Sequence, residues 1–204
     1  MAQDLQVLDE TAAPCGVVAL AASAGGLTAL STVLAALPAD FPAAVVVVQH
    51  LDPRRRSYLS DILRRRTTLR VKEAADGDSL RPGTVYVAPP NKHLLVGSGG
   101  RLALTSTERV HFVRPSADLL FRSSADSFKD RAVAVVLTGT GSDGGAGVTA
   151  IKKMGGTVIA QDRASSEFFG MPATAIDTGS VDLVLPLEAI APALVALMRK
   201  GEQS

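Results

Sequence analysis

Four consecutive valines, Val45–Val48, sit inside the expected strand Ala44–Gln49, and the runs Val17–Ala22 and Ala132–Leu137 have the same apolar character. Small and β-branched residues without polar alternation mark strands buried on both faces, and such strands occur almost only in parallel sheets covered by helices on each side. Segments of helical periodicity follow, Leu27–Leu37 after the first run and Gly145–Met154 after the third. The pattern predicts an α/β fold: a doubly wound, mainly parallel sheet flanked by helices.

At 204 residues the chain fits one such domain, with an arm at 1–14, the domain proper at 15–200 and a short tail at 201–204. Further strands are expected at Thr157–Gln161 and Val181–Leu185, and further helices at Arg54–Arg66, Ala117–Phe128 (Ser116 as N-cap), within 162–177, and at Leu187–Lys200. Between residues 70 and 106 the rhythm changes. The short runs Arg70–Ala74, Thr84–Ala88, His93–Val96 and Leu102–Thr105, divided by Gly and Pro, predict an antiparallel hairpin insertion or edge.

A formal charge of +1 supplies no field for nucleic acid or an anionic membrane surface, and no apolar stretch approaches the roughly 18 residues of a membrane span. The single cysteine, Cys15, has no internal disulfide partner, and the acidic first ten residues lack a signal-peptide pattern. The expectation is a cytoplasmic protein, not membrane-inserted, with Cys15 structural.

Chemistry concentrates at the strand exits, where ligands bind in open α/β sheets. Ser23 follows the first strand, His50 the second, and Asp143 lies in Thr138-Gly139-Thr140-Gly141-Ser142-Asp143-Gly144 after a third. A hydroxyl, an imidazole and a carboxylate are the parts of a nucleophilic hydrolase. Each has a plainer reading. Ser23 can cap the following helix, and its surroundings do not match G-x-S-x-G because Ala21 stands at the first glycine. His93 and His111 compete with His50 for the role of base, though neither ends a core strand. Gly139-x-Gly141-x-x-Gly144, with Asp162 at the end of the next strand, also spells a dinucleotide-binding fingerprint.

Six segments in order, AASAGG, VVVQH, GTVYVAPPNKH, FVRPSADLLFRS, VVLTGTGSDG and AQDRASSEFFGMPATAI, resemble the catalytic domain of CheB-type protein-glutamate methylesterases from about Gly16 to Leu197. The resemblance implies a Ser23–His50–Asp143 triad, with the Thr140 N–H and an amide of the Ala24–Gly25 turn holding the oxyanion. It implies demethylation of glutamate methyl esters on chemoreceptor cytoplasmic helices, and deamidation of receptor glutamines. No metal or organic cofactor is implied; a separate receptor methyltransferase or response regulator is a candidate partner. Arg114, Ser116, Met171 and His93 become candidates for lining a substrate cleft. Arg54–Arg56 and Arg64–Arg66 flank one expected helix and read either as solvated helix ends or as a docking site for an acidic receptor helix. The chain departs from the family pattern at Ala24, where Thr is usual, and at Thr140, where Met is common. Only some 15 residues precede the first strand, so it looks closer to stand-alone domains, or to those fused to a methyltransferase, than to members led by a receiver domain. A receptor-docking module without catalysis is the competing reading within the same fold.

Overall fold

The computed structural model describes residues 14–50 and 57–201. Nine strands and six α-helices follow in chain order: β1 Val17–Ala22, α1 Gly26–Ala35, β2 Ala44–Gln49, α2 Leu59–Arg64, β3 Arg70–Glu73, β4 Thr84–Val87, β5 His93–Val96, β6 Leu102–Thr105, α3 Ala117–Phe128, β7 Ala132–Val136, α4 Gly145–Lys153, β8 Thr157–Gln161, α5 Gly170–Asp177, β9 Leu183–Leu185 and α6 Leu187–Gly201.

Seven strands form one sheet in the order β3-β4-β2-β1-β7-β8-β9, and every pairing in it is parallel. Side chains alternate across each strand. Val18, Leu20, Val45, Val47 and Val135 meet α1, α2 and α6 on one face. Val17, Ala19, Ala21, Val46 and Ala134 meet α3, α4, α5 and the β5–β6 hairpin on the other. Alanine predominates on the second face where the ring of Phe121 from α3 is buried against it. The closing helix buries Leu187, Ile190, Ala191, Leu194 and Met198, the three-and-four spacing of an amphipathic helix. At the amino ends of the strands, Cys15 is half-buried, its thiol 3.8 Å from the Met198 carbonyl.

Three expectations need correction. Within the run 70–106, β3 and β4 are parallel members of the main sheet, and only β5 and β6 form an antiparallel hairpin, in a sheet of their own. Punctuation by Gly and Pro fixes where short strands stop, but not which way they pair. Strand β9 begins at Leu183, two residues later than expected; just before it the Asp182 carboxylate accepts from the Val158 N–H, the place a strand carbonyl would take, and the Asp182 N–H donates to the Val158 carbonyl. The helix expected from Arg54 is α2, which within the described residues starts at Leu59, with the Ser57 hydroxyl accepting from the Leu59 N–H.

From β1 the chain winds outward through β2 to β4 and β3, and from β7 it winds the other way through β8 to β9. The crevice between the carboxyl ends of β1 and β7 is therefore a topological switch point, where open α/β sheets bind ligands.

Candidate active site

The sheet's own hydrogen bonds continue one residue past the central strands and bring three exits together. Ser23 N–H donates to the Thr138 carbonyl (3.0 Å), and His50 N–H donates to the Ala22 carbonyl (3.1 Å). Ser23 thus stands at the switch point, with the β7 exit on one side and His50 on the other. Helix α1 is capped by the backbone of Gly25 in a left-handed conformation with no side-chain cap, so Ser23 does not serve as an N-cap. Its hydroxyl engages no acceptor among the described residues. The amides of Ala24, Gly25 and Thr140 likewise have no acceptor among them. Gly139 makes this close passage feasible, because a Cβ there would lie 2.8 Å from the Ser23 Cβ and 2.4 Å from the Met171 sulfur.

Asp143 is 3% exposed and is the most heavily bonded carboxylate of the site. Its Oδ2 accepts from His50 Nε2 (2.9 Å) and the Ala117 N–H (2.6 Å), and its Oδ1 accepts from the Ser116 hydroxyl (2.9 Å) and the Asp118 N–H (3.1 Å). The first amides of α3 and the candidate base therefore share one acceptor. Burial alone would push this carboxyl up. The His50 hydrogen bond and the Ala117 and Asp118 amides outweigh that, so Asp143 titrates below the ordinary carboxylate range and is ionised at neutral pH. Because Nε2 donates to Asp143, Nδ1 is the basic nitrogen of the His50 ring.

Asp118 repeats the device in the opposite direction. Its Oδ1 accepts from the N–H groups of Gly144 (3.1 Å) and Gly147 (2.7 Å) at the start of α4, and its Oδ2 meets His111 Nε2 (3.1 Å). Helix α3 thus caps α4, and the loop before α4 caps α3. This arrangement also removes the nucleotide reading. A pyrophosphate would need the α4 amides that Asp118 already occupies, and Asp162, expected at a ribose, is tied to the Ser165 N–H and hydroxyl.

Two glutamines that sequence reasoning missed hold these loops. Gln49, the last residue of β2, donates from Nε2 to the carbonyls of Ser23 (2.6 Å) and His50 (3.3 Å). Gln161, the last residue of β8, accepts from the Thr138 N–H (2.8 Å) and donates to the Ser165 carbonyl (2.8 Å). Their one signal in the sequence is a polar residue closing an otherwise apolar strand.

The candidates for substrate contact have other work. Ser116 is fully buried, donating to Asp143 and accepting from the Leu119 N–H as the N-cap of α3. Met171 is buried against Gly139. His93 is buried in β5 with Nε2 on the Glu108 carbonyl. The guanidinium of Arg114 is spent on Asn91 and on the Ser106 and Thr107 carbonyls, pinning the segment before α3. Ser116, Met171 and His93 are buried, whereas Arg114 is half-buried. Arg54–Arg56 lie outside the described residues; Arg64 and Arg66 bond internally, to Asp61 and Val71 and to Ser31.

The model of the CheB methylesterase family matches residues 18–194, nearly the whole described chain. The chain belongs to the CheB methylesterase family. The crystal structure of the Thermotoga maritima CheB methylesterase catalytic domain superposes with a TM-score of 0.86 at 38% identity, covering 89% of this chain and 98% of that one. A protein-glutamate methylesterase/protein-glutamine glutaminase of group 3 operon from Rhizobium meliloti (strain 1021) is 44% identical over 91% of this chain and 52% of its own length. Protein-glutamate methylesterase FrzG of Myxococcus xanthus is 43% identical over 89% of this chain and 54% of its own. The chain spans about half the length of these curated relatives. Among the described residues, no helix of this CheB methylesterase domain is long and apolar enough to cross a membrane.

Proposed function

We propose that this chain hydrolyses glutamate 5-O-methyl esters on the cytoplasmic helices of chemoreceptors, through a Ser23–His50–Asp143 triad and a glutamyl-enzyme. The observation that carries the reading is the His50–Asp143 pair, hydrogen-bonded at 2.9 Å and one strand from Ser23 at the switch point, in a chain of this family. Ser23 Oγ attacks the ester carbonyl as His50 Nδ1 takes its proton. Asp143 fixes the tautomer and stabilises the imidazolium. The tetrahedral oxyanion falls to the unengaged amides of Ala24, Gly25 and Thr140; removing one such donor typically costs about 3 kcal/mol of transition-state stabilisation. Collapse expels methoxide, which leaves as methanol with the proton from His50. Water, activated by the same ring, then hydrolyses the acyl-enzyme to glutamate. A glutamine side chain enters the same sequence with ammonia as leaving group, which extends the reading to deamidation.

Two features support Ser23 as the nucleophile: its hydroxyl has no structural bond to give up, and the Gln49 amide grips its carbonyl together with that of His50. The test is methanol release from methylated receptor membranes. Ser23→Ala should fold normally and lose activity by several orders of magnitude. Retention of more than about 1% would remove Ser23 from the nucleophile's role.

A further inference from the structure

Gly139 immediately precedes the unengaged Thr140 amide, and its backbone leans on the start of α5. Its N–H donates to the Phe168 carbonyl (2.9 Å), and its carbonyl accepts from the Met171 N–H (2.8 Å). Gly139 and Phe169 form a parallel bridge, so residues 168–171 act as a short extra strand beside the exit of β7. The segment is held at other points as well. The Phe168 N–H donates to Thr138 Oγ1 (2.9 Å), and Gln161 Nε2 donates to the Ser165 carbonyl (2.8 Å). The Thr138 hydroxyl proton faces the carbonyls of Ala24 (3.1 Å) and Phe168 (3.2 Å), which ties the segment to the turn after Ser23.

These bonds fix a direction. A planar trans peptide points its carbonyl and its N–H opposite ways, and along an extended backbone the polar groups of successive residues alternate sides. The Thr138 carbonyl faces Ser23, whose N–H it accepts at 3.0 Å. Both polar groups of Gly139 face residues 168–171. The next donor, the Thr140 N–H, is therefore returned to the Ser23 side. Turning it away would rotate the 139–140 peptide and break the bond from Met171. Gly170 makes the approach close: a Cβ there would lie 3.1 Å from the Gly139 oxygen, 3.2 Å from the Gly141 nitrogen and 3.3 Å from the Thr140 Cα.

We infer that Phe168–Met171 is a backbone clamp that presets the oxyanion donor. The Met171 N–H holds the 139–140 peptide in the orientation that aims the Thr140 N–H at the reaction centre, and Gly170 lets α5 close upon the loop. This rests on the function proposed above. Gly170 and Met171 are positioning residues, acting through Thr140 without touching the substrate. A donor aimed in advance needs no reorganisation when charge develops on the carbonyl oxygen.

The decisive variant is Gly170→Ala. Gly170 opens α5 and its φ lies outside the left-handed region, so alanine adds no backbone strain and favours the helix. A glycine with no part in the chemistry predicts unchanged turnover. The clamp predicts that the added methyl group displaces Thr140 by a few tenths of an ångström. On methylated receptor membranes kcat should then fall about tenfold with KM nearly unchanged, because the donor acts on charge absent from the bound ester. Tm should stay within about 3 °C of wild type. In amide NMR spectra, which need no turnover, the Thr140 resonance should move while those of β1 and β2 hold. A kcat within about threefold of wild type would overturn the inference, as would an unmoved Thr140 amide, loss of the fold, or shifts spread through the central sheet. If the wild type releases no methanol while the Thr140 amide alone responds to Gly170→Ala, the clamp stands and the esterase reading falls.

Discussion

Asp143 is asked to do two things, and substitution should separate them. Changing it to Ala deletes the acceptor of four hydrogen bonds, from His50, Ser116, Ala117 and Asp118. The Ser116 hydroxyl can rotate toward another partner. The Ala117 and Asp118 amides cannot, and each buried donor without an acceptor costs about 1–3 kcal/mol. Asp143→Ala should therefore lose about 3 kcal/mol of stability in urea titrations at pH 7, equivalent to roughly 6–12 °C in Tm for a domain of this size. Asp143→Asn keeps one carbonyl oxygen for the α3 amides and should lose about 1–2 kcal/mol. Both variants should cut kcat by about four orders of magnitude, since neither fixes the His50 tautomer with a charge. Ser23→Ala, by contrast, should stay within about 0.5 kcal/mol of wild type. A loss below about 1 kcal/mol in Asp143→Ala would refute the claim that one carboxylate both caps α3 and orients the base.

Asp143 also sets a pH dependence. Its carboxyl titrates lower in the folded chain than the roughly 3.9 of an unfolded one. The stability it contributes is thus fully present above about pH 4 and is lost as pH falls toward the folded value. Wild-type stability minus that of Asp143→Asn should be flat from pH 5 to 7 and shrink below 4; a difference that grows on acidification would contradict it. At Gly26, an added Cβ would lie 2.1 Å from Gln49 Oε1, so Gly26→Ala must push aside the amide holding Ser23 and His50. Its kcat should fall about a hundredfold with KM nearly unchanged, and a variant with wild-type kcat would show that Gln49 does not position the pair.

Much of this arrangement was legible before any coordinates. Strands β2, β5, β6 and β8 and helix α3 fall where expected, because the valine run of β2, the Gly and Pro that bound β5 and β6, the Gly155-Gly156 pair before β8 and the serine N-cap of α3 are strong local signals. Ser23 and His50 come side by side because consecutive parallel strands pair, and they do so through the Ala22–Gln49 register. What stayed hidden depends on contacts across the fold. Asp118 reads as one acidic residue in the first turn of a helix, yet it organises another helix. Ser116 and Arg114 sit in a recognisable segment, but only the coordinates reveal that they brace Asp143 and its surroundings from behind. The direction of β3 and β4 was not readable, since four-residue strands carry no mark of parallel or antiparallel pairing.

The contact between Cys15 and Met198 has a practical consequence. Cys15 and Met198, near the two ends of the described residues, meet at one corner, on the pole about 20 Å from Ser23 that the six residues of β1 set. Circular permutation through that corner, or grafting of the whole domain into a surface loop of a host, would leave the rim that holds Ser23, His50 and Asp143 unobstructed.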